Sequence, residues 1–217
     1  KRRGQMSRPS IKEILKYRKF VDEQIKEIFE THHSKDNNFI HFLNIGINHE
    51  QQHQELMLMD ILNVFFHNPL KPKFTKTERK FKVIKENQNE WVKNTKSVKF
   101  KIGNESHSFC FDNELPLHKT TIKPFEINKK LVNNFEWKEF IYNDGYERPE
   151  LWLSDGFEFI KKNAINKPLY WLEDDLMFSL NGLKKINDLD PVCHISFYEA
   201  DAFARWKNRK LPSEFEL

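Results

Sequence analysis

The sequence predicts a protein of two domains, an all-α helical bundle followed by an α+β domain. Apolar residues recur at helical spacing in two long segments before residue 68, whereas short segments with alternating apolar residues begin near residue 98. Between these regions lysine becomes frequent, the periodicity fades and prolines interrupt the chain. We therefore assign residues 1–68 to the bundle, 69–99 to a connector and 100–217 to the α+β domain.

Two long helices are predicted in the first domain. The first covers residues 10–30, because Ser10 and Glu13 form the S-x-x-E capping box that starts a helix. The second covers residues 39–66 and ends before Pro69, which cannot continue it. A short polar connector joins them, so we expect two neighbouring helices of an antiparallel bundle.

The second domain is predicted to mix short strands with capped helices. Alternating apolar residues place strands at 98–102, 108–111 and 120–127. Helices are expected after two further capping boxes, Asn133 with Glu136 and Ser196 with Glu199.

The two ends of the chain suggest that it is a piece of a longer protein. The sequence begins without Met, and Ser213 with Glu216 repeats the capping-box pattern within the last residues. We therefore expect the chain to be cut at both ends, with a helix starting at residue 213.

The composition excludes several classes of protein. Hydrophobic residues make up 38% of the chain and 20 residues are Phe, which is enough for a core and excludes wholesale disorder. The 36 basic and 32 acidic residues are spread along the chain, unlike the clustered basic face of a nucleic-acid-binding protein. No apolar run approaches the ~20 residues needed to span a bilayer. We predict neither a nucleic acid nor a membrane as partner.

The two cysteines indicate a reducing compartment. Cys110 and Cys193 are too few for a disulfide framework, and neither belongs to a C-x-x-C pair. We therefore expect the protein to be cytoplasmic.

The stretch HEQQHQEL at residues 49–56 contains the strongest candidate for a chemical site. His49 and His53 are four residues apart, so on a helix both imidazoles project from one face, about 6 Å apart, and can share one metal. They lie on a stripe with Phe42 and Leu56, so we expect the pair to point into the bundle as buried, neutral ligands.

The spacing alone leaves other interpretations open. A histidine on an inward face is usually a satisfied core residue rather than a ligand. The pattern from His49 through Glu50 to His53 is also the zinc-hydrolase signature, with Glu50 as general base. That interpretation needs a third ligand downstream, for which His67 and Glu78 are candidates.

The wider sequence resembles a known family. HEQQHQEL with the following Asp60, preceded by RGQMSRP at 3–9, resembles the DinB-like domain of sulfoxide synthases of ergothioneine biosynthesis. The second half is similar to the C-type-lectin-like, formylglycine-generating-enzyme-like (sulfatase-modifying-factor-like) domain of the same synthases. The matching segments are FDNExPxH at 111–118, GY at 145–146, LWLSDG at 151–156, PLYW at 168–171, PVxHISxYEA at 191–200, ARW at 204–206 and LPSE at 211–214.

The resemblance implies a mononuclear nonheme iron(II) site with three histidine ligands. His49 and His53 match two of them, and the third is expected upstream of Lys1. His32 and His33 match nothing in the family's pattern. The implied reaction uses O2 to join a cysteine-type thiol, cysteine or γ-glutamylcysteine, to trimethylhistidine (hercynine), and gives a sulfoxide.

The resemblance also implies substrate-binding residues. Gln52 matches the glutamine that contacts the histidine-derived substrate, and Arg3 resembles an arginine that pairs with the carboxylate of the thiol substrate. The family's catalytic tyrosine is expected beyond Leu217, so the 217 residues alone are expected to be inactive.

Three other functions stay open at this point. A related selenoneine or ovothiol-type synthase would keep the iron site and change the donor or the acceptor. A zinc hydrolase would use the H-E-x-x-H pattern directly. A non-catalytic two-domain binding protein would keep the fold without the chemistry.

Overall fold

The structure, a computed structural model, describes residues 8–31, 37–76, 90–105 and 109–217. The described chain forms two compact units: the first contains the residues up to Leu56 together with Phe109, and the second contains the remaining residues from Met57 onward. The domain boundaries that the sequence places at residues 68 and 99 stay a prediction. No helix among the described residues is long and apolar enough to cross a membrane.

Helix α1, Ile11–Glu30, begins at the predicted capping box. The Ser10 amide donates to Oε2 of Glu13 at 2.8 Å, and the Glu13 amide donates to Oγ of Ser10 at 3.3 Å. The side-chain and backbone hydrogen bonds from Ser10 lower the pKa of the Glu13 carboxyl, so the cap is held by a charged acceptor. No residue of α1 is buried.

Helix α2, Asn37–His67, confirms the second predicted helix and extends it slightly at both ends. Phe29 of α1 and Phe39 of α2 meet edge to face, with 5.5 Å between ring centroids. Among the described residues of α2, only Leu62 is buried. The two helices are therefore confirmed, while their assignment to a DinB-like bundle stays a prediction.

The strands of the second unit pair two by two in antiparallel ladders. The pairs are β1 (Trp91–Asn94) with β4 (Phe125–Asn128), β2 (Val98–Ile102) with β3 (His118–Ile122), and β5 (Leu176–Ser179) with β6 (Gly182–Lys185). β2 coincides with the predicted strand at 98–102. The predicted strand at 120–127 is wrong in extent, because Pro124, which has no amide for a ladder, separates β3 from β4.

The predicted strand at 108–111 is wrong for the part that the structure describes. Residues 109–111 form no strand, and a 3-10 turn, Asp112–Glu114, follows them. The Glu114 carboxylate accepts the Phe111 amide at 2.7 Å. A local side-chain acceptor thus takes an amide that a neighbouring strand would otherwise need. Ser108 lies outside the described residues.

Three helices follow in the second unit: α3 (Asn134–Tyr142), α4 (Ser154–Lys162) and α5 (Phe197–Trp206). Both predicted capping boxes are confirmed, since Asn133 caps α3 and Ser196 caps α5. At the end of the chain the same hydrogen bond forms, from the Ser213 amide to Oε2 of Glu216 at 2.8 Å. The described residues there form a turn and not the predicted helix.

The main core of the second unit contains mostly aromatic residues from α3, α5 and the segments between the helices. Its buried members are Trp137, Phe140, Tyr146, Leu151, Trp152, Ile160, Trp171, Ile186, Ala202 and Phe203. The rings of Trp137 and Phe203 stack 4.9 Å apart at 12°. A Cβ on Gly145 would lie 2.2 Å from the Phe140 ring, so only glycine allows this close approach.

Candidate metal centre

The histidine pair lies in the middle of α2 with its two rings adjacent. The centroids of His49 and His53 are 4.5 Å apart and the ring planes meet at 79°. The spacing of four residues brings them to the same face, one turn apart, as the sequence predicts. Two imidazoles in this arrangement can occupy two neighbouring positions around one metal ion.

The expectation that this pair is buried is wrong for the described chain. His49, His53 and every residue between them are exposed, and Phe42 and Leu56 on the same stripe are 69% and 50% exposed. A helix face becomes buried only when another layer covers it. Neighbouring α1 buries none of its own residues, so the described residues supply no such layer. The pair is therefore open to solvent.

A third metal ligand is not found beside the pair in the described residues. No group of three or more His, Cys, Asp or Glu side chains there is arranged to hold a metal ion. His67 is the last residue of the same helix, fourteen residues after His53 in the sequence. His32, His33 and Glu78, the other residues weighed as ligands, lie outside the described residues.

Of the two predicted substrate-binding residues, the structure describes Gln52. Gln52 is exposed and lies three residues after His49, so its side chain borders the face that carries both imidazoles. Its carboxamide can donate and accept hydrogen bonds. Arg3 lies outside the described residues. Glu50, the general base of the zinc-hydrolase alternative, is exposed on α2.

The second unit holds a buried polar network that the sequence analysis missed. The Tyr146 hydroxyl donates to Oε1 of Glu199 at 2.7 Å and accepts the indole N–H of Trp137 at 3.4 Å. The other carboxylate oxygen of Glu199 accepts the Ser196 amide at 2.6 Å. Burial, together with the adjacent carboxylate, raises the pKa of Tyr146, so its hydroxyl remains a donor. The capping box at Ser196 signalled one role of Glu199, but nothing in the sequence signalled the second.

A second cluster in this unit joins Tyr170 to His194. Their rings meet edge to face with 4.8 Å between centroids, and the Leu169 amide donates to the His194 carbonyl at 3.1 Å. Both residues have left-handed backbones, with φ of 75° and 61°. Such conformations are unfavourable for residues with side chains and persist where packing enforces them. Desolvation by its neighbours lowers the pKa of the His194 imidazole, although the residue as a whole is exposed.

Comparison with known proteins assigns the second half of the chain. The model of the family described as "Sulfatase-modifying factor enzyme 1-like domain" matches residues 80–217. This match confirms the predicted formylglycine-generating-enzyme-like, C-type-lectin-like domain. The DinB-like assignment of the helices before it stays a prediction.

Curated relatives align with about half of the chain. Hercynine oxygenase of Mycolicibacterium smegmatis is 36% identical over 112 residues, which are 52% of this chain and 26% of that protein. Hercynine oxygenase of Mycobacterium tuberculosis is 31% identical over 106 residues, 48% of this chain and 25% of that protein. Inactive C-alpha-formylglycine-generating enzyme 2 of Mus musculus is 26% identical over 123 residues, 48% of this chain and 39% of that protein.

These alignments cover only part of each relative. The chain spans about a quarter of the length of the hercynine oxygenases it matches. The family match, in contrast, covers more than half of the chain. The chain therefore belongs to the family of proteins with a sulfatase-modifying factor enzyme 1-like domain.

Proposed function

We propose that this chain is part of an iron(II)- and O2-dependent oxidoreductase of ergothioneine biosynthesis. The proposed reaction joins a cysteine-type thiol to hercynine and gives a sulfoxide. The names of the hercynine oxygenases to which the chain is similar support the substrate. The observation that carries the proposal is the pair of adjacent imidazoles, His49 and His53, on one face of α2.

The donor set of the pair fits iron in part. Imidazole nitrogens suit iron(II), and two of them on one helix face can supply two of its ligands. We propose His49 and His53 as those ligands, with the third coming from outside the described residues. Iron bound there would supply the activation of O2, and the solvent exposure of the pair leaves room for substrates beside it.

The chain's own residues would bind and orient the two substrates. We propose that the Gln52 carboxamide hydrogen-bonds to hercynine, because its position three residues after His49 places it beside the metal pair. We propose that the Arg3 guanidinium binds the carboxylate of the thiol substrate through two parallel hydrogen bonds. Cysteine and γ-glutamylcysteine both offer such a carboxylate. A selenoneine or ovothiol-type synthase would use the same pair with another donor or acceptor.

A non-catalytic binding protein is the second candidate. The described residues place no third ligand beside His49 and His53, and the mouse relative is named as an inactive enzyme. On this alternative the fold is kept and the histidine pair holds no iron. The zinc-hydrolase interpretation likewise needs a third ligand from outside the described residues.

The proposal is tested by product formation in the full-length protein. We would supply iron(II), hercynine, a cysteine-type thiol and O2, and detect the coupled sulfoxide by mass spectrometry. We expect a product that requires iron and O2 and is lost in His53→Ala. His67→Ala is the matched control, because it removes a histidine at the far end of the same helix and should keep the activity. Bound iron with no product from any thiol or selenium donor would refute the proposed reaction.

A further inference from the structure

Strands β2 and β3 form an antiparallel ladder with one half-buried face and one exposed face. The half-buried face carries Phe100, Ile102, Thr120 and Ile122. Because successive side chains of a strand point to opposite sides, the residues between them share the other face. That face, the lysine face, consists of four exposed residues: Lys99, Lys101, Lys119 and Thr121. Its three ammonium groups therefore lie together on one small patch of the second unit.

The lysine face places two like charges directly opposite each other. Lys101 is the cross-strand partner of Lys119 in the ladder. The Cβ atoms of such partners lie about 5 Å apart, so like charges there destabilise the pairing of the strands. The ladder of β1 and β4 shows the favourable arrangement, because Lys93 lies opposite Glu126 and the two form an ion pair at 2.8 Å. The like-charge pair is therefore a feature that folding alone does not require.

No carboxylate among the described residues forms an ion pair with the lysine face. The ion pairs of the described chain involve other lysines and arginines. Positive charge that is concentrated in one patch attracts an oppositely charged partner and speeds its approach. The lysine face therefore has the charge of a surface that meets an anionic partner.

We propose that the lysine face is a docking surface for an extended acidic segment of a partner protein. Lys99 and Lys101 are two residues apart on one strand, so their side chains leave it about 7 Å apart along the strand axis. Alternate side chains of an extended segment have the same spacing, so carboxylates at alternate positions can each meet one ammonium group. Lys119, opposite Lys101, adds a third such contact, and the Thr121 hydroxyl can donate or accept a hydrogen bond.

Other anionic partners fit the lysine face less well. Single-stranded nucleic acids are bound largely by aromatic rings on which the bases stack, and this face carries no ring. Proteins that bind duplex DNA tightly make on the order of 6–10 phosphate contacts, more than three lysines supply. A small anion is held by donors that converge in a concave site, whereas these side chains leave one side of a ladder in the same direction. An extended acidic segment matches both the charge and the spacing.

The test measures binding of a labelled synthetic peptide to the full-length protein by fluorescence anisotropy. The peptide alternates glutamate with threonine, and a comparison peptide has the same composition with its glutamates in one block. Lys99→Glu combined with Lys101→Glu reverses two charges of the lysine face. The control, Lys162→Glu combined with Lys184→Glu, makes the same change in net charge at exposed lysines of α4 and β6. A third variant, Lys119→Glu, places an acidic side chain opposite Lys101.

The alternating peptide should bind more tightly than the block peptide, and added salt should weaken its binding. The double variant of the lysine face should lose more than about 10-fold in affinity, because like charges then meet across the interface, while the control should match the wild type. Lys119→Glu should bind the peptide more weakly and yet melt at a higher temperature, because it replaces a like-charge pair with an opposite one.

Three results would overturn the docking surface: an equal loss of affinity in the control, no preference for the alternating peptide, or no binding by the wild type. Tighter binding of a single-stranded oligonucleotide or of inorganic phosphate than of the peptide would assign the lysine face to phosphates and overturn the proposal as well. A lower melting temperature in Lys119→Glu would contradict the like-charge strain from which the inference starts.

Discussion

The Tyr146 hydroxyl lies 2.7 Å from Oε1 of Glu199, and both residues are buried, at 3% and 6% exposure. This hydrogen bond joins the segment after α3 to the first turn of α5, across 53 residues of sequence. A buried carboxylate needs such donors, because leaving it without them is unfavourable. The same carboxylate also caps α5 through Ser196, so one side chain stabilises two parts of the fold.

Tyr146→Phe should therefore destabilise the second unit. The substitution keeps the ring and removes the donor, which leaves Oε1 of Glu199 short of a partner and should lower the free energy of unfolding by about 1–3 kcal/mol. Urea denaturation followed by tryptophan fluorescence measures the change. Tyr142→Phe is the control, since Tyr142 is 88% exposed. Equal stability of the two variants would contradict the prediction that the buried hydrogen bond stabilises the second unit.

Alanine substitutions at two glycines should change the stability of the protein in opposite directions. A Cβ at Gly145 would meet the Phe140 ring at 2.2 Å, so Gly145→Ala should destabilise the protein by about 1–3 kcal/mol. Gly46 lies inside α2 with nothing within 4 Å of its added Cβ. Gly46→Ala should stabilise α2 by about 0.5–1 kcal/mol, because alanine loses less backbone entropy than glycine in a helix. Thermal denaturation of both variants checks the two signs, and destabilisation by Gly46→Ala would contradict the open surface around it.

Stability should fall as the pH decreases through the ordinary pKa of histidine, 6.5, because of His194. Desolvation by neighbouring groups lowers the folded-state pKa of this imidazole, although the residue as a whole is exposed, so in that window the unfolded chain binds slightly more protons than the folded one. Acid therefore favours unfolding until the pH is below both pKa values. His194→Asn removes the titrating group and suits the left-handed backbone at this position. Urea midpoints from pH 8 to 5 should fall more for the wild type than for His194→Asn, and parallel curves would refute this assignment.

Lys138 should connect α3 to two acidic loops through a salt-sensitive ion pair. Its ammonium lies 2.5 Å from a carboxylate oxygen of Asp175 and 2.6 Å from one of Asp188. Burial acts to lower the pKa of Lys138, but the hydrogen bonds and charges of the two carboxylates outweigh it and raise the pKa. Lys138→Met should lower the unfolding free energy by about 0.5–1 kcal/mol, because the groups are partly exposed.

The control for this pair uses salt and a second lysine. The difference between wild type and Lys138→Met should shrink in 1 M NaCl, where exposed charges are screened. Lys162→Met, on the exposed last turn of α4, should change little in either condition. A difference that salt leaves unchanged would mean that Lys138 stabilises the fold by packing and not by charge.

Local sequence patterns predicted the starts of α1, α3 and α5, because capping is a local interaction. Ser10 with Glu13, Asn133 with Glu136 and Ser196 with Glu199 each form the expected hydrogen bonds. Ser213 with Glu216 forms the same kind of hydrogen bond, but the residues there form a turn and not the predicted helix, and α4 was not predicted. The strands were predicted less well. The amide of Phe111 pairs with Glu114, and Pro124 splits one predicted strand into two. Such outcomes depend on competing partners, which periodicity alone does not reveal.

In the candidate site too, the features that depend on sequence neighbours were predicted, and those that depend on distant residues were not. The spacing of His49 and His53 predicts their adjacency on α2, and their ring centroids lie 4.5 Å apart, closer than the about 6 Å expected from the spacing. Burial of the pair depends on what packs over the helix, and the described residues leave it exposed. The contact between Phe66 and Tyr170 joins residues 104 positions apart, so no sequence pattern indicated it.

Anaerobic titration of the full-length protein with iron(II) measures whether His49 and His53 bind the metal. The wild type and His67→Ala should each bind one equivalent, while His49→Ala and His53→Ala should bind more than about 100-fold more weakly, since a direct ligand matters more than its supporting shell. Equal iron(II) affinity in His53→Ala and the wild type would contradict the assignment of the pair as the metal site.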